Sequence, residues 1–294
     1  MLLSQSLIMP VASTRHKIRT SLKTVTAVIA AILLTLESYN QSTRYPLAAR
    51  YTGMGAYSRN FVDPLSISSN QAALANVKSL SAGVYGEKRF LLQELNLYNI
   101  ALCIPLQHGG IAMSAHYFGH DNYSETQLGA GYGKALGKID IGVQINLHSL
   151  RIAGYGKDVL FNFEAGAILH ISERVYAGLH IFNPTGSKFG KNHLEKLSSA
   201  YSAGVGYEAS EKVFISAEII KEEDKPVNIN TGLQYVFAKK LFARIGLYTE
   251  AAHLYFGIGL KWTVFRVDIT GSYHPQLGLT PGLLLVFEGK RKEE

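Results

Sequence analysis

From Ser79 onward the chain alternates apolar and polar residues with a period of two. In 138–151, "KIDIGVQINLHSLR", one face is Ile139, Ile141, Val143, Ile145 and Leu147, and the other is Asp140, Gly142, Gln144, Asn146 and His148. In 252–262, Leu254, Phe256, Ile258, Leu260 and Trp262 alternate with His253, Tyr255, Gly257, Gly259 and Lys261. In 227–237, Val227, Ile229, Leu233, Tyr235 and Phe237 alternate with Asn228, Asn230, Gly232 and Gln234, with Thr231 breaking the apolar side. Successive strand residues point to opposite faces, so each run predicts a strand with one greasy and one wet surface. Fourteen such runs are legible: 80–88, 95–105, 110–118, 124–135, 138–151, 158–171, 173–182, 198–209, 212–221, 227–237, 240–249, 252–262, 264–274 and 280–288. Most are longer than the roughly 5–6 residues of a soluble strand and match the roughly 9–11 needed to cross a bilayer. Short joints such as 136–138 and 210–212 alternate loosely with longer polar stretches such as 184–196 and 221–226. The pattern predicts an all-β, single up-and-down antiparallel barrel over 80–288, followed by a polar tail at 289–294.

The remaining question is what lies against the apolar face, and composition bears on it. Hydrophobic residues make up 47% of the 294 residues and charged residues only 17%, with 28 Gly and 17 Tyr. A soluble sandwich would carry many Lys and Glu on its wet face, whereas these runs carry Gly, Asn, Gln, Ser and His. Glycines such as Gly129, Gly131 and Gly133 leave room on the inner side. Aromatic residues recur near strand ends, among them Tyr117, Phe118, Tyr123, Tyr155, Tyr176, Phe182, Tyr201, Tyr207, Tyr235, Phe237, Tyr248, Trp262, Tyr273 and Phe287. Such rings favour a lipid–water boundary, which predicts two girdles on a transmembrane barrel.

The start of the sequence addresses the compartment. Basic residues 15–23, "RHKIRTSLK", precede an uncharged apolar run at 24–36, "TVTAVIAAILLTL". This is the arrangement of a secretory signal and is too short to span a bilayer as a helix, so residues 1–40 are expected to be removed. Arg15, Lys17, Arg19 and Lys23 belong to that segment, so its removal takes away much of the formal +7 charge. No basic cluster interleaved with aromatics suggests nucleic acid as a partner. The single cysteine, Cys103, excludes an internal disulfide. Residues 41–79 differ from the rest, with Pro46, Gly53, Gly55 and Pro64 and little alternation. Irregular backbone is prohibitive in hydrocarbon, so this stretch must lie outside the bilayer or inside the barrel. Asp63 and Asn70 are expected to bond the backbone of the turns they occupy.

Residues 49–90 resemble the N-terminal block of the PorV/PorQ and FadL-like outer-membrane barrels. The shared features are Gly53-Met54-Gly55, the Asp63-Pro64 step, and Asn70, Ala72 and Leu74 of an Asn-Pro-Ala-x-Leu segment in which Gln71 stands for the proline. The last hairpin, Tyr273, His274, Leu277, Gly278 and Thr280, is similar to the family's Tyr-His-Pro/Gln-x-Leu-Gly-x-Thr pattern. The resemblance spans about 45–288 and is only architectural between the two ends. It implies about 14 strands, an outer membrane of a Gram-negative bacterium, and residues 41–79 in the lumen as a plug segment. It further implies as partners the lipid bilayer and either hydrophobic small molecules that are transported or proteins of type IX secretion.

The resemblance implies neither catalysis nor a cofactor, and chemical motifs point the same way. No G-x-S-x-G, H-E-x-x-H or C-x-x-C occurs, and Leu128 stands where a P-loop before Gly133-Lys134 needs glycine. His116 and His120 share a strand, where a four-residue separation is about 13 Å, too far for one metal. No catalytic, cofactor or metal residues are therefore assigned. Ser114/His116 and Ser149/His148 are the pairs a lipid-hydrolysing barrel could use. Three functions stay open: a transport or secretion-associated outer-membrane barrel, a barrel enzyme acting on lipid, and a structural or adhesive surface protein.

Overall fold

The computed structural model describes residues 53–189, 195–223, 225–237, 240–250 and 253–289. The expected signal segment, the start of the plug segment and most of the polar tail lie outside the described residues. Fourteen antiparallel strands form one closed barrel. They are β1 (Ser81–Lys88), β2 (Asn96–Leu106), β3 (Gly109–His120), β4 (Tyr123–Leu136), β5 (Ile139–Ile152), β6 (Gly156–His170), β7 (Val175–Phe182), β10 (Ala200–Glu208), β11 (Val213–Glu222), β12 (Asn228–Phe237), β13 (Leu241–Tyr248), β14 (His253–Trp262), β15 (Phe265–His274) and β16 (Gly278–Glu288). A short hairpin, β8 (Lys188–Phe189) with β9 (Glu195–Lys196), sits in the connection between β7 and β10. Each strand pairs with its neighbour in sequence, and β1 closes on β16 from Ser81↔Glu288 to Glu87↔Gly282. Closure leaves no unpaired edge.

Antiparallel alternation puts the connections after β2, β4, β6, β10, β12 and β14 at one end, together with the start of β1 and the end of β16. We call this the terminal end and the other the loop end. The outer face is mainly apolar. Ile139, Ile141, Val143 and Ile145 on β5 and Leu254, Phe256, Ile258 and Leu260 on β14 are all exposed there, as the alternation predicts. Outward rings form two belts. Tyr98, Tyr117, Tyr201 and Tyr273 lie towards the loop end, and Tyr207, Tyr235, Phe237, Trp262, Phe265 and Phe287 towards the terminal end. The expectation that every strand-end aromatic belongs to these belts is corrected by register. Phe118, Tyr176, Phe182 and Tyr248 occupy inward positions of their strands and are buried.

Residues 53–76 lie inside the barrel. They make three short 3-10 turns, Gly53–Tyr57, Ser66–Ser68 and Gln71–Asn76. Asp63 Oδ1 accepts from Leu65 N and Ser66 N, each at 3.1 Å, and Asn70 Oδ1 accepts from Ala72 N at 3.0 Å. These short side chains hold the local turns that the sequence leads one to expect. Met54, Phe61, Leu65, Ile67 and Leu74 join a core with Tyr85, Leu97, Ala101, Cys103, Phe214, Tyr255, Leu284 and Val286 of the wall. Phe61 stacks on Phe214 with ring centroids 5.2 Å apart. Full burial of each large apolar side chain is worth about 1.5–3 kcal/mol.

Candidate functional site

The inner segment fits because the wall opposite it lacks side chains. Gly110, Gly133, Gly142 and Gly166 are successive register partners across β3, β4, β5 and β6. All lie on the lumen side. A Cβ on Gly133 would come within 2.6 Å of Leu74 Cβ, and one on Gly142 would overlap the Gln71–Ala72 backbone. One on Gly166 would overlap the Asn70 side chain. Further round, Gly178 and Gly204 are partners across β7 and β10. They bracket the Tyr57 ring, which would lie 2.7 Å from a Cβ at Gly178. Gly232 on β12 makes the same room for Met54. A backbone shelf of this kind lets the segment approach closer than any side chain would permit.

Polar groups then fix the segment. Tyr57 Oη donates to Glu218 at 2.5 Å. Glu208 collects Ser58 Oγ at 2.6 Å, Arg59 N at 2.8 Å, Asn60 N at 3.0 Å and Asn60 Nδ2 at 2.6 Å. Asn70 Nδ2 donates to Leu179 O at 3.1 Å, Gln71 Nε2 to Glu164 Oε2 at 2.7 Å and Asn76 Nδ2 to Asp140 Oδ2 at 2.8 Å. Arg266 Nη2 donates to Asp63 Oδ2 at 2.8 Å. Carboxylates that accept several N–H and O–H bonds are satisfied in a site shielded from water. These anchors lie in the terminal half of the lumen and at mid-barrel, so the segment occupies that part of the lumen.

The structure places the residues of the sequence motifs as follows. Gly53, Met54 and Gly55 form the first inner turn. A Cβ at Gly55 would meet Ser66 Oγ at 2.9 Å. Asp63 and Pro64 face β15 and β2, with Pro64 O 3.7 Å from Cys103 Sγ. Asn70, Ala72 and Leu74 face the glycine shelf, and all are fully buried. Gln71, standing where the family pattern has proline, uses its side chain for the bond to Glu164, which proline could not make. The C-terminal motif is elsewhere, at the β15–β16 hairpin of the loop end. His274 Nδ1 accepts from Gln276 N at 3.1 Å and Leu277 N at 3.2 Å, and Gly278 has φ +88°. Thr280 Oγ1 accepts from Phe90 N at 3.0 Å, while Tyr273 and Leu277 point outwards. The fold does not bring the two motifs together.

Sequence reasoning missed Asp140, Glu164, Glu208, Glu218 and Arg266 as partners of the inner segment. The signal was present as one or two charges on otherwise neutral inward faces. The histidines are spread over the lumen wall. His170 Nε2 lies 2.7 Å from Asp140 Oδ2, His180 Nε2 2.9 Å from Glu164 Oε2 and His148 Nε2 2.9 Å from Asn162 Oδ1. Among the described residues no three His, Cys, Asp or Glu groups are arranged to hold a metal. On the outer face at the loop end a groove of about 1110 Å³ is lined by Val84, Tyr98, Tyr117, Leu283 and Leu285, with Glu87, Lys88 and His120 among its polar groups.

No family model matches the sequence, and no curated protein does. Solved structures do match in fold. The CymD monoaromatic hydrocarbon channel aligns with a TM-score of 0.61 at 10% identity, covering 84% of this chain and 98% of that one. A Pseudomonas aeruginosa FadL homologue gives 0.61 at 9% identity, over 85% and 100% of the two chains. The Ralstonia pickettii toluene transporter TbuX gives 0.58 at 10% identity, over 84% and 97%. This chain therefore has the closed barrel fold found in FadL-type hydrocarbon channels.

Proposed function

We propose that the protein is an outer-membrane barrel of a Gram-negative bacterium that passes hydrophobic small molecules selectively. On this reading residues 1–40 are a cleaved signal and 41–79 a plug segment. The observation that carries it is a segment bonded to the wall inside the lumen. A general porin keeps an open aqueous channel, whereas here residues 53–76 are anchored inside the lumen by wall groups on six strands. The inner faces of β1, β2 and β16 are apolar where they meet the segment, with Leu97, Ala101, Leu284 and Val286 buried. Proteins of the same fold include hydrocarbon channels. The test is uptake of radiolabelled toluene by cells with a lipopolysaccharide outer leaflet, with and without the expressed protein. A several-fold increase in initial rate is expected. No increase would remove the passage reading. It would leave the second one, a plugged scaffold for secretion proteins, which the same obstruction suits.

A further inference from the structure

Above the inner segment, the lumen wall of β2–β6 carries polar groups that the fold leaves unpaired. Asn99 and His116 are register partners across β2 and β3. Ser114, Gly129, Asn146 and Asn162 are successive partners across β3, β4, β5 and β6. Strand alternation turns all of these inwards. Asn99 is 0% exposed, Asn162 3%, His116 5% and Ser114 6%. Both amide atoms of Asn99, Ser114 Oγ, His116 Nδ1 and Asn162 Nδ2 have no hydrogen-bond partner. Folded interiors pair nearly all such groups, so five unpaired polar atoms on four side chains of one patch of wall require a reason.

Their neighbours are already engaged. Gln144 Nε2 donates to Asn146 Oδ1 at 2.8 Å, and Asn146 Nδ2 donates to Glu164 Oε1 at 2.7 Å. Glu164 Oε2 holds Gln71 of the inner segment. This chain of bonds fixes the patch to the segment below it. Gly129 keeps the ground between them clear. A Cβ there would lie 2.5 Å from Ser114 Oγ, 2.7 Å from Gln144 Nε2 and 2.8 Å from Asn146 Oδ1. The unpaired atoms are amide, hydroxyl and imidazole, which together donate and accept without net charge. No Lys or Arg occupies an inward position of β2–β6 among the described residues, and Arg89, whose guanidinium lies over the inward Phe118 ring, is paired with Glu87 at 2.7 Å.

We propose that Asn99, Ser114, His116 and Asn162 form a station for the uncharged hydroxyl head of an amphipathic solute, such as a phenol or an alcohol. The inference rests on the passage reading above and narrows its substrate class. A solute's apolar body would follow the inner wall while its hydroxyl exchanges bonds with the patch. Anionic heads would lose their hydration without gaining a cation.

The experiment is equilibrium dialysis of the full chain in lipid nanodiscs against radiolabelled p-cresol and toluene, with protein-free discs subtracted. The two probes differ by one hydroxyl. Saturable binding of p-cresol about tenfold tighter than toluene is expected, the effect of one or two net hydrogen bonds. Asn99→Leu and Ser114→Ala should each remove most of that preference. Heat-modifiable migration shows whether each variant folds, and Ser114→Ala, which removes one oxygen, decides if Asn99→Leu does not. Equal binding of the two probes would overturn the station and leave the passage reading intact. A cresol preference unaffected by Ser114→Ala would also overturn it. Retention of neither probe would overturn both readings.

Discussion

Arg266 Nη2 on β15 donates to Asp63 Oδ2 of the inner segment at 2.8 Å, across 203 residues of chain. The other oxygen of the same carboxylate holds the Leu65 and Ser66 amides. Asp63 thus both shapes a turn and ties it to the wall. Arg244 Nη2 lies 3.7 Å from Asp63 Oδ2, and Asp268 lies 3.1 Å from Arg266 Nε and 3.4 Å from Arg244 Nη1. Two cations and two anions balance in a buried cluster. Arg266→Met leaves two carboxylates with Arg244, and breaking a buried pair in this way costs about 3–5 kcal/mol. Urea unfolding from lipid vesicles should show a loss of that size. A loss below about 1 kcal/mol, the range of exposed pairs, would mean that the cluster does not fasten the segment.

Cys103 offers a direct reporter of the same attachment. It is the only cysteine, fully buried on β2, with its Sγ against Pro64 O. In the intact protein a water-soluble maleimide should label it only as fast as the inner segment opens locally. Arg266→Met should raise the labelling rate by about tenfold, in line with a loss of at least 1.4 kcal/mol in holding the segment down. Equal rates in the two proteins would show that the segment leaves the wall independently of Arg266.

The glycine shelf makes a steric prediction. Gly142→Val would drive two methyl groups into the Gln71–Ala72 backbone, with β5 held on both sides by full-length ladders. Forcing extra carbon into a packed contact costs about 1–3 kcal/mol. Because the ladder cannot yield, the segment should move instead, and Cys103 labelling should accelerate. Ala130→Val, on the outer face of β4, adds two methyl groups on a face the inner segment does not touch and should change neither stability nor labelling.

Much of this fold was legible because a period of two is a strong signal when repeated fourteen times. All fourteen runs correspond to barrel strands, with ends shifted by a few residues. The inner face was less legible, for a physical reason. A wet inner face was expected all round, yet β2 and β16 read as nearly continuous apolar runs, "NIALCIPL" and "LLLVF". Those strands are apolar on both sides because the outer face meets the surroundings of the barrel and the inner face meets Phe61, Leu65 and Pro64. Continuous runs within an otherwise alternating barrel therefore mark where the inner segment packs. The glycines of β3–β6 carried a second mark of it, of which only Gly129, Gly131 and Gly133 of β4 were read in the sequence as space, and none as a shelf. Partners such as Gln71 and Glu164, 93 residues apart, have no signature in one sequence because only the closed barrel brings them together.

The two faces of β5 differ enough to be tested by charge. Val143 is 55% exposed on the outer face at mid-strand, and Gln144 is 3% exposed on the inner face. Arg at position 143 should cost about 2–4 kcal/mol if it lies at the bilayer midplane. Gln144→Arg loses a bond to Asn146 but stands across the register from Glu164, which offers its charge a counter-ion. Folding titrations into vesicles should find the second variant clearly less costly. Equal costs would mean that the outer face of β5 does not meet lipid.

Removing residues 53–76 should convert an obstructed barrel into an open one without unfolding it. Every strand finds its backbone partners in the two neighbouring strands, so closure does not draw on the inner segment. What the deletion exposes is a charged lumen. Asp140, Glu164, Glu208 and Glu218 lose the Asn76, Gln71, Ser58, Asn60 and Tyr57 groups that now hold them. Arg244 and Arg266 lose Asp63 but keep Asp268. The uncovered wall therefore carries more negative than positive charge, and rings of carboxylates favour cations. Single-channel recordings in a planar bilayer should show conductance several-fold above that of the intact protein. A potassium chloride gradient should give a reversal potential of the sign for cation preference, and Glu164→Gln with Glu218→Gln in the deletion background should reduce it. Unchanged conductance on deletion would show that residues 53–76 do not obstruct the pore. Increased conductance with anion preference would show that Arg244 and Arg266, rather than the uncovered carboxylates, set the field inside it.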